Sequence, residues 1–362
     1  MNPALFTPFK LRELTLPNRI VVSPMCQYIC EDGNANDWHL MHLGQFCMGA
    51  AGLVITEATH VSPEGRISPR CLGLYDDANE AALQRVVDFC RKHGVAKLGI
   101  QLAHAGRKGS THPPGAGGKP LTAREGAWTT LAPSALPFAD GWHIPKALDA
   151  DGLLRVKQQF VDAARRAARL GFDLAELHIG HGYLLHEFLS PLSNQRTDAY
   201  GGSTANRIRF PLEVFDAVRA VWPKDLPCGV RVSATDWVDG GWTPEETVVF
   251  ARELQSRGCD FLDVTTGQVD PRQKIPFAPG YNVPFAEQVK KATGMPVMAV
   301  GMISTARLAN EIVESGRADL IAIARGMMDD PRWAWHAARE LGAEPPPYAP
   351  QYNRCHPSLW KP

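Results

Sequence analysis

The sequence predicts a single (β/α)8 barrel, and three observations predict it. Short β-branched or aliphatic runs alternate with helical patterns about eight times along 362 residues, the element count and length of that fold. Glycines follow five helical stretches, at Gly94, Gly171, Gly258, Gly294 and Gly316, where a left-handed helix cap is wanted. A doubly wound sheet is the competing arrangement, but no G-x-G-x-x-G follows the first strand.

In chain order, strands are expected at 19–25, 53–59, 97–104, 174–179, 228–234, 261–266, 296–300 and 320–324. Helices are expected at 79–92, 152–170, 205–221, 244–257, 283–292, 305–315 and 332–341. Asp151 or Gly152 opens the 152–170 helix, and Thr243-Pro244 supplies a cap and a first-turn proline for the next but one. The stretch 106–148, rich in Pro, Gly and Trp, is too long to be a simple connection. It follows the third strand, on the face where barrel loops build active sites, and reads as a functional insertion or lid. The barrel spans 1–343; the tail, 344–362, is Pro-rich, ends in aromatic and basic residues, and is either loose or docked on another surface.

Composition narrows the function. Lys plus Arg equals Asp plus Glu at 38 each, so no basic field draws nucleic acid or anionic lipid. The apolar runs are strand-sized, which argues against a membrane protein. The N-terminal residues lack the basic and apolar regions of a secretory signal, and no Asn-x-Ser/Thr sequon occurs, so a cytoplasmic protein is expected. The cysteines at 26, 30, 47, 71, 90, 228, 259 and 355 form no CxxC pair, against a zinc ribbon, an iron–sulfur cluster or a disulfide scaffold. No metal site is expected. HExxH fails because position 190 is serine, and neither a Walker loop nor a G-x-S-x-G elbow occurs.

Candidate site residues gather at strand ends. His178-Ile-Gly-His181-Gly-Tyr183 places two imidazoles and a phenol at the end of the fourth strand. A continuing strand would turn the histidines to opposite faces, whereas a bend at Gly180 and Gly182 lets both rings and the phenol converge on one ligand. Neutral imidazoles can then donate to a carbonyl oxygen and Tyr183 can deliver a proton; the plain alternative is a pair of core or surface histidines. Cys26 and Tyr28 follow the first strand, where the thiol can equally be a small apolar core residue. Gln101 is a lone amide aimed into the barrel, and a heterocycle with donor and acceptor edges would satisfy it. Arg231, flanked by valines, also points inward, toward either a carboxylate partner or an anionic ligand. Val300-Gly301 and Ala324-Arg325 sit in the loops after strands seven and eight, where such barrels often bind phosphate.

Together with Phe188-Leu-Ser-Pro191, Asn194-x-Arg196-x-Asp198-x-Tyr200-Gly-Gly-Ser203 and Asn206-Arg207-x-Arg209-Phe210, the His178–His181–Tyr183 motif resembles the old yellow enzyme family, in particular its thermophilic-like subclass. The resemblance covers essentially the whole chain. It implies an FMN-dependent ene-reductase that takes hydride from NADPH or NADH and reduces the activated C=C bond of enones, maleimides, nitro compounds or quinones by a ping-pong cycle through flavin N5. It implies that Ser23, Pro24, Met25 and Cys26 border the flavin, with Ala58 and Gln101 at its pyrimidine part and Arg231 at its N1/O2 edge. Thr266, Gly267, Val300, Gly301, Ala324 and Arg325 would hold ribityl and phosphate. Cys26, Tyr28, His178, His181 and Tyr183 would line the substrate pocket. Gln351-Tyr352-x-Arg354 resembles an arginine finger that crosses into a neighbouring subunit of a homodimer or homotetramer. Gly180 departs from the family's usual alanine, and Trp360 lies beyond the finger within reach of the same pocket.

Two rivals remain on the residues alone. One is a cofactor-free aldolase or isomerase with the histidines as acid–base groups, disfavoured because no inward lysine is expected at a strand end. The other is a binding or metal protein built on His178, His181 and a carboxylate.

Overall fold

The computed structural model describes residues 2–360. Eight parallel strands close into a barrel in chain order: β1 (Ile20–Val22), β2 (Leu53–His60), β3 (Lys97–Ala103), β4 (Leu174–Ile179), β5 (Cys228–Ser233), β6 (Leu262–Thr265), β7 (Val297–Ala299) and β8 (Leu320–Ile323). Register closes the ring, with Val21 opposite Leu53 and Ile323 opposite Val22. All eight expected strands are present, each ending one to three residues short of its expected span except β2, one residue longer, and β4, which matches.

The outer ring comprises α1 (Asp37–Cys47), α2 (Asp77–His93), α3 (Ala150–Leu170), α4 (Arg209–Val221), α5 (Pro244–Ser256), α6 (Val283–Thr293), α7 (Ala306–Glu314) and α8 (Trp333–Leu341). Helix α1 was not expected, because its face is broken by His39, His42 and Gly44; burial decides it instead, with both histidines inside and Phe89 packed against Gly44. Asn36 caps it. Three local expectations are corrected. Asp149, not Asp151 or Gly152, caps α3 by accepting from the Gly152 N–H at 2.8 Å. The 205–221 stretch is two helices, Thr204–Arg207 and α4, because Pro211 offers no N–H to the Arg207 carbonyl. Gly94 is extended (φ −84°), so it needs to be glycine for closeness: a Cβ there would sit 2.5 Å from the Cys90 carbonyl. The other four glycines are left-handed as expected.

The barrel interior is apolar at one end only. Val21, Leu53, Ile55, Leu174, Met298 and Leu320 pack there with Leu11, Leu14 and Leu16. These leucines come from a hairpin, Phe9–Leu11 with Leu14–Leu16, that stoppers the N-terminal end, tied by Arg12 to Asp260 at 2.6 Å. Above this layer the inward side chains turn polar: Gln101, Glu176, His178, Arg231 and Asp263 are all buried. That change positions the site at the C-terminal end of the strands.

The 106–148 insertion is ordered. Three short turns and a two-residue parallel pairing, Leu131–Ala132 with Lys146–Ala147, give it shape. Arg196 binds it at the Pro133 and Leu148 carbonyls (3.0 and 2.6 Å), and Arg107 at the Leu136 and Pro137 carbonyls. The tail forms a turn, Pro350–Cys355, against this chain's own α8, where Tyr348 stacks on Trp335 at 4.1 Å and Trp360 lies over Arg339. Lys361 and Pro362 lie outside the described residues.

Candidate active site

The bend after β4 falls one residue from where the glycines suggested. His181 (φ +56°) and Gly182 (φ +69°) are left-handed, whereas Gly180 is not. Gly182 is required for space as well, since its Cβ would meet the Gln268 carbonyl at 2.2 Å. The turn carries His181 back beside His178: Nδ1 of His181 and Nε2 of His178 are 3.2 Å apart. The Tyr183 ring lies edge-on to His178 at 5.3 Å. Ser233 Oγ accepts from the His181 N–H (2.9 Å), and Thr265 Oγ1 lies 3.0 Å from His181 Nε2. A buried relay holds the turn from behind, with His186 Nδ1 accepting from the Gly182 N–H (2.8 Å) and its Nε2 3.0 Å from Asp236. Burial, reinforced by Arg231, pushes both His178 and His181 well below the usual imidazole range. Both are therefore neutral at pH 7, each ring with one N–H to donate.

Tyr183, Tyr28 and Cys26 pack together around Ile67, Cys71 and Ala105, so the expected substrate-side residues converge. Burial raises all three and keeps them as phenols and thiol. Glu57 holds the segment that carries Cys26 and Tyr28, accepting from the Gln27 N–H at 3.0 Å.

Beside the histidines opens a cavity of about 440 Å³, lined by Arg231, Val300, Gly301, Ala324 and Arg325 among the expected residues, and by His181. For Arg231 the carboxylate partner is present, its Nε lying 3.2 Å from Asp263, and the residue also lines the cavity. Its other end donates to Ser23 Oγ at 3.2 Å, which makes Ser23 a support for Arg231. Gln101 donates to Glu176 Oε1 at 2.8 Å, and Ala58 is its strand partner after a bulge in β2. Burial, with Asp263 nearby, pushes Glu176 up to about 8, so this carboxyl keeps its proton at neutral pH. Thr266 acts through Asn282, to which it donates at 2.8 Å. Gly267 does not line the cavity; it closes a turn on the Thr235 carbonyl. Pro24 and Met25 are half-buried at the end of β1. Arg354 is exposed and does not line this chain's own cavity.

Four contributors escaped sequence reasoning. Asn282 lines the cavity with a buried Nδ2 that has no partner; the Tyr281-Asn282 pair before α6 carried no strand signal. Asp263 and Glu176 are inward carboxylates whose pairing depends on register. Lys108 is the fourth, and it does not sit at a strand end, where no inward lysine was expected. It lies five residues past β3, in the turn Gly106–Lys108, with Nζ donating to the carbonyls of His181 and Gln268, both at 2.9 Å.

The cavity fits a long ligand, heterocyclic at one end and anionic at the other. The Arg231 guanidinium, the orphaned Asn282 amide and Arg325 all line it. Gly301 (φ +122°) leaves a cradle that a Cβ would fill, 2.9 Å from Asn282 Nδ2. Gly301→Ala is therefore expected to weaken binding of FMN to the apoprotein about tenfold, read by flavin fluorescence quenching; unchanged affinity would remove the cradle from the site.

Residues 4–344 match the family described as NADH:flavin oxidoreductase / NADH oxidase. The chain is 44% identical over 346 residues to an NADPH dehydrogenase of Geobacillus thermodenitrificans, covering 95% of this chain and 96% of that one. Among solved structures it is similar to morphinone reductase bound to tetrahydroNAD (29% identity, TM-score 0.77, covering 95% and 92%). It is also similar to an old yellow enzyme homologue from Zymomonas mobilis (27%, TM-score 0.77, 96% and 94%). The chain belongs to this family of FMN oxidoreductases, the old yellow enzymes. It is an oxidoreductase whose cofactors are FMN and a nicotinamide nucleotide.

Proposed function

We propose that this enzyme is an ene-reductase, reducing the polarised C=C bond of enones, maleimides, nitroalkenes or quinones with NADPH as donor. The observation that carries the reading is the neutral His178–His181 pair, 3.2 Å apart beside Tyr183, with His181 on the wall of the cavity. FMN, when bound, supplies the two-electron carrier that lets nicotinamide and alkene react in alternate, ping-pong half-reactions. The protein's residues do the rest. A carbonyl oxygen entering between His178 Nε2 and His181 Nδ1 breaks the hydrogen bond the rings share; it accepts from His181 Nδ1–H, and from His178 once that ring carries its proton on Nε2 rather than Nδ1. Thr265 Oγ1, able to donate to His181 Nε2, favours the tautomer with the proton on Nδ1. Two such donors withdraw electron density from the β-carbon, each worth about 3 kcal/mol in the transition state. Tyr183 then gives the phenolic proton to the α-carbon. Tyr28 and Cys26 pack beside Tyr183 and wall the pocket.

The preference for NADPH is supported by the name of the Geobacillus relative. Arg354 is assigned to a second subunit's pocket, supported by its exposure beside exposed Tyr352, Leu359 and Trp360. Among the described residues no helix is long and apolar enough to cross a membrane.

The test is an anaerobic visible spectrum titrated with NADPH and then cyclohexenone. Bleaching by NADPH followed by recovery with the enone supports the reading; bleaching without recovery rejects ene-reduction. Tyr183→Phe is expected to slow recovery by enone at least tenfold while reduction by NADPH changes little. Equal slowing of both halves removes its role as donor.

A further inference from the structure

Lys108 occupies a place that the reaction as described does not use. Its ammonium lies between two aromatic faces, 5.0 Å from the Tyr183 ring centre and 4.9 Å from that of Phe138 in the 106–148 insertion. Two of its three donors are spent on the carbonyls of His181 and Gln268, which fixes the nitrogen in place. Its aromatic neighbour on one side is therefore the proposed proton donor itself.

When Tyr183 gives up its proton, a phenolate is left in a pocket whose burial opposes that charge. A cation already fixed against the ring face stabilises that charge without reorganising. We propose that Lys108 is a positioning residue for Tyr183, whose ammonium, clamped between Tyr183 and Phe138, supports the phenolate formed as the proton leaves. The proposal rests on the reading of Tyr183 as donor. Phe138 closes the far side of the ammonium, so the insertion reaches the chemistry through this stack.

The surroundings set a pH window. Burial lowers Lys108 to about 7, opposed by Glu187 on the short helix Leu184–Leu189 and assisted by Arg107 on its own turn. Glu187 is itself raised by burial to about 8, and the histidines facing Lys108 from the β4 turn are neutral. Arg107 is balanced by Glu187, Asp270 and Asp236. The ammonium is charged below its midpoint and lost above it, so its support declines as pH rises.

The experiment follows reoxidation of the NADPH-reduced holoenzyme by cyclohexenone between roughly pH 6 and pH 9. Wild type is expected to slow about tenfold across the range. Lys108→Met should be slow and flat, with an enlarged solvent deuterium isotope effect and unchanged FMN affinity. Lys108→Arg, charged throughout, should restore the rate and remove the decline. In a Tyr183→Phe background, Lys108→Met should add little further loss. A Lys108→Met rate equal to wild type at low pH overturns the proposal, as does an equal loss with and without the Tyr183 hydroxyl. A Tyr183→Phe enzyme as fast as wild type instead sinks the donor reading itself. Should Lys108→Arg fold poorly, the wild-type pH profile and the Lys108→Met isotope effect decide alone.

Discussion

His178→Ala is expected to slow enone reduction by about two powers of ten while FMN stays bound. His178 comes from β4 itself, where it is paired in register with Arg231 and buried. Its imidazole is one of two donors facing a carbonyl oxygen, and a preorganised neutral donor in a water-poor pocket is worth more than one in solvent. Alanine also removes the edge contact that holds the Tyr183 ring, so orientation is lost with the donor. Binding of carbonyl ligands should weaken in parallel, because the oxygen is left with His181 alone. Flavin retention follows from distribution: Arg231, Gly301, Asn282 and Arg325 hold the cavity without His178. Stopped-flow reoxidation by cyclohexenone, with the visible spectrum as occupancy control, measures both parts. A rate within about threefold of wild type would remove His178 from the transition state.

Arg231→Met should cost about 3–5 kcal/mol of stability and abolish tight FMN binding, because it leaves Asp263 alone in the barrel. Asp263 is fully buried, and the arginine is the one group that draws its carboxyl down against desolvation. Without it the carboxyl is raised further above its unfolded value. A group raised in the folded state favours folding below its unfolded midpoint, and that contribution is lost as pH rises through the folded one. The deficit of Arg231→Met should therefore be largest at neutral pH and shrink toward pH 5. Adding Asp263→Asn should recover most of the stability without recovering FMN binding. Thermal unfolding of the apoproteins across that range checks it. An Arg231→Met apoprotein as stable as wild type would mean that Asp263 finds another partner.

Legibility differed by element. All eight strands were readable because each is a short aliphatic run buried on both faces, a property carried locally. Helix α1 was not, since two buried histidines and a glycine broke its pattern and only packing against α2 completes it. At the site, His178, His181 and Tyr183 stood out through their spacing, yet the bend falls at His181 and Gly182. Gly182 is glycine because of a carbonyl contributed from eighty-six residues away, Gln268. Lys108 gave no signal for a related reason. Nothing beside it in sequence says that its ammonium meets Tyr183, and Phe138 comes from a later part of the same insertion.

The sequence by itself determined the alternation that makes a barrel, the strand-end residues that carry the chemistry, and the family. These rest on local composition and on motifs within a few residues of one another. The tertiary structure alone decided which buried groups answer which. Arg231 with Asp263, Gln101 with Glu176, Thr266 with Asn282, and Lys108 between Tyr183 and Phe138 are pairings across strands or loops. Barrel closure and strand register set those distances, and in a dry interior a few ångströms separate a satisfied charge from an orphaned one.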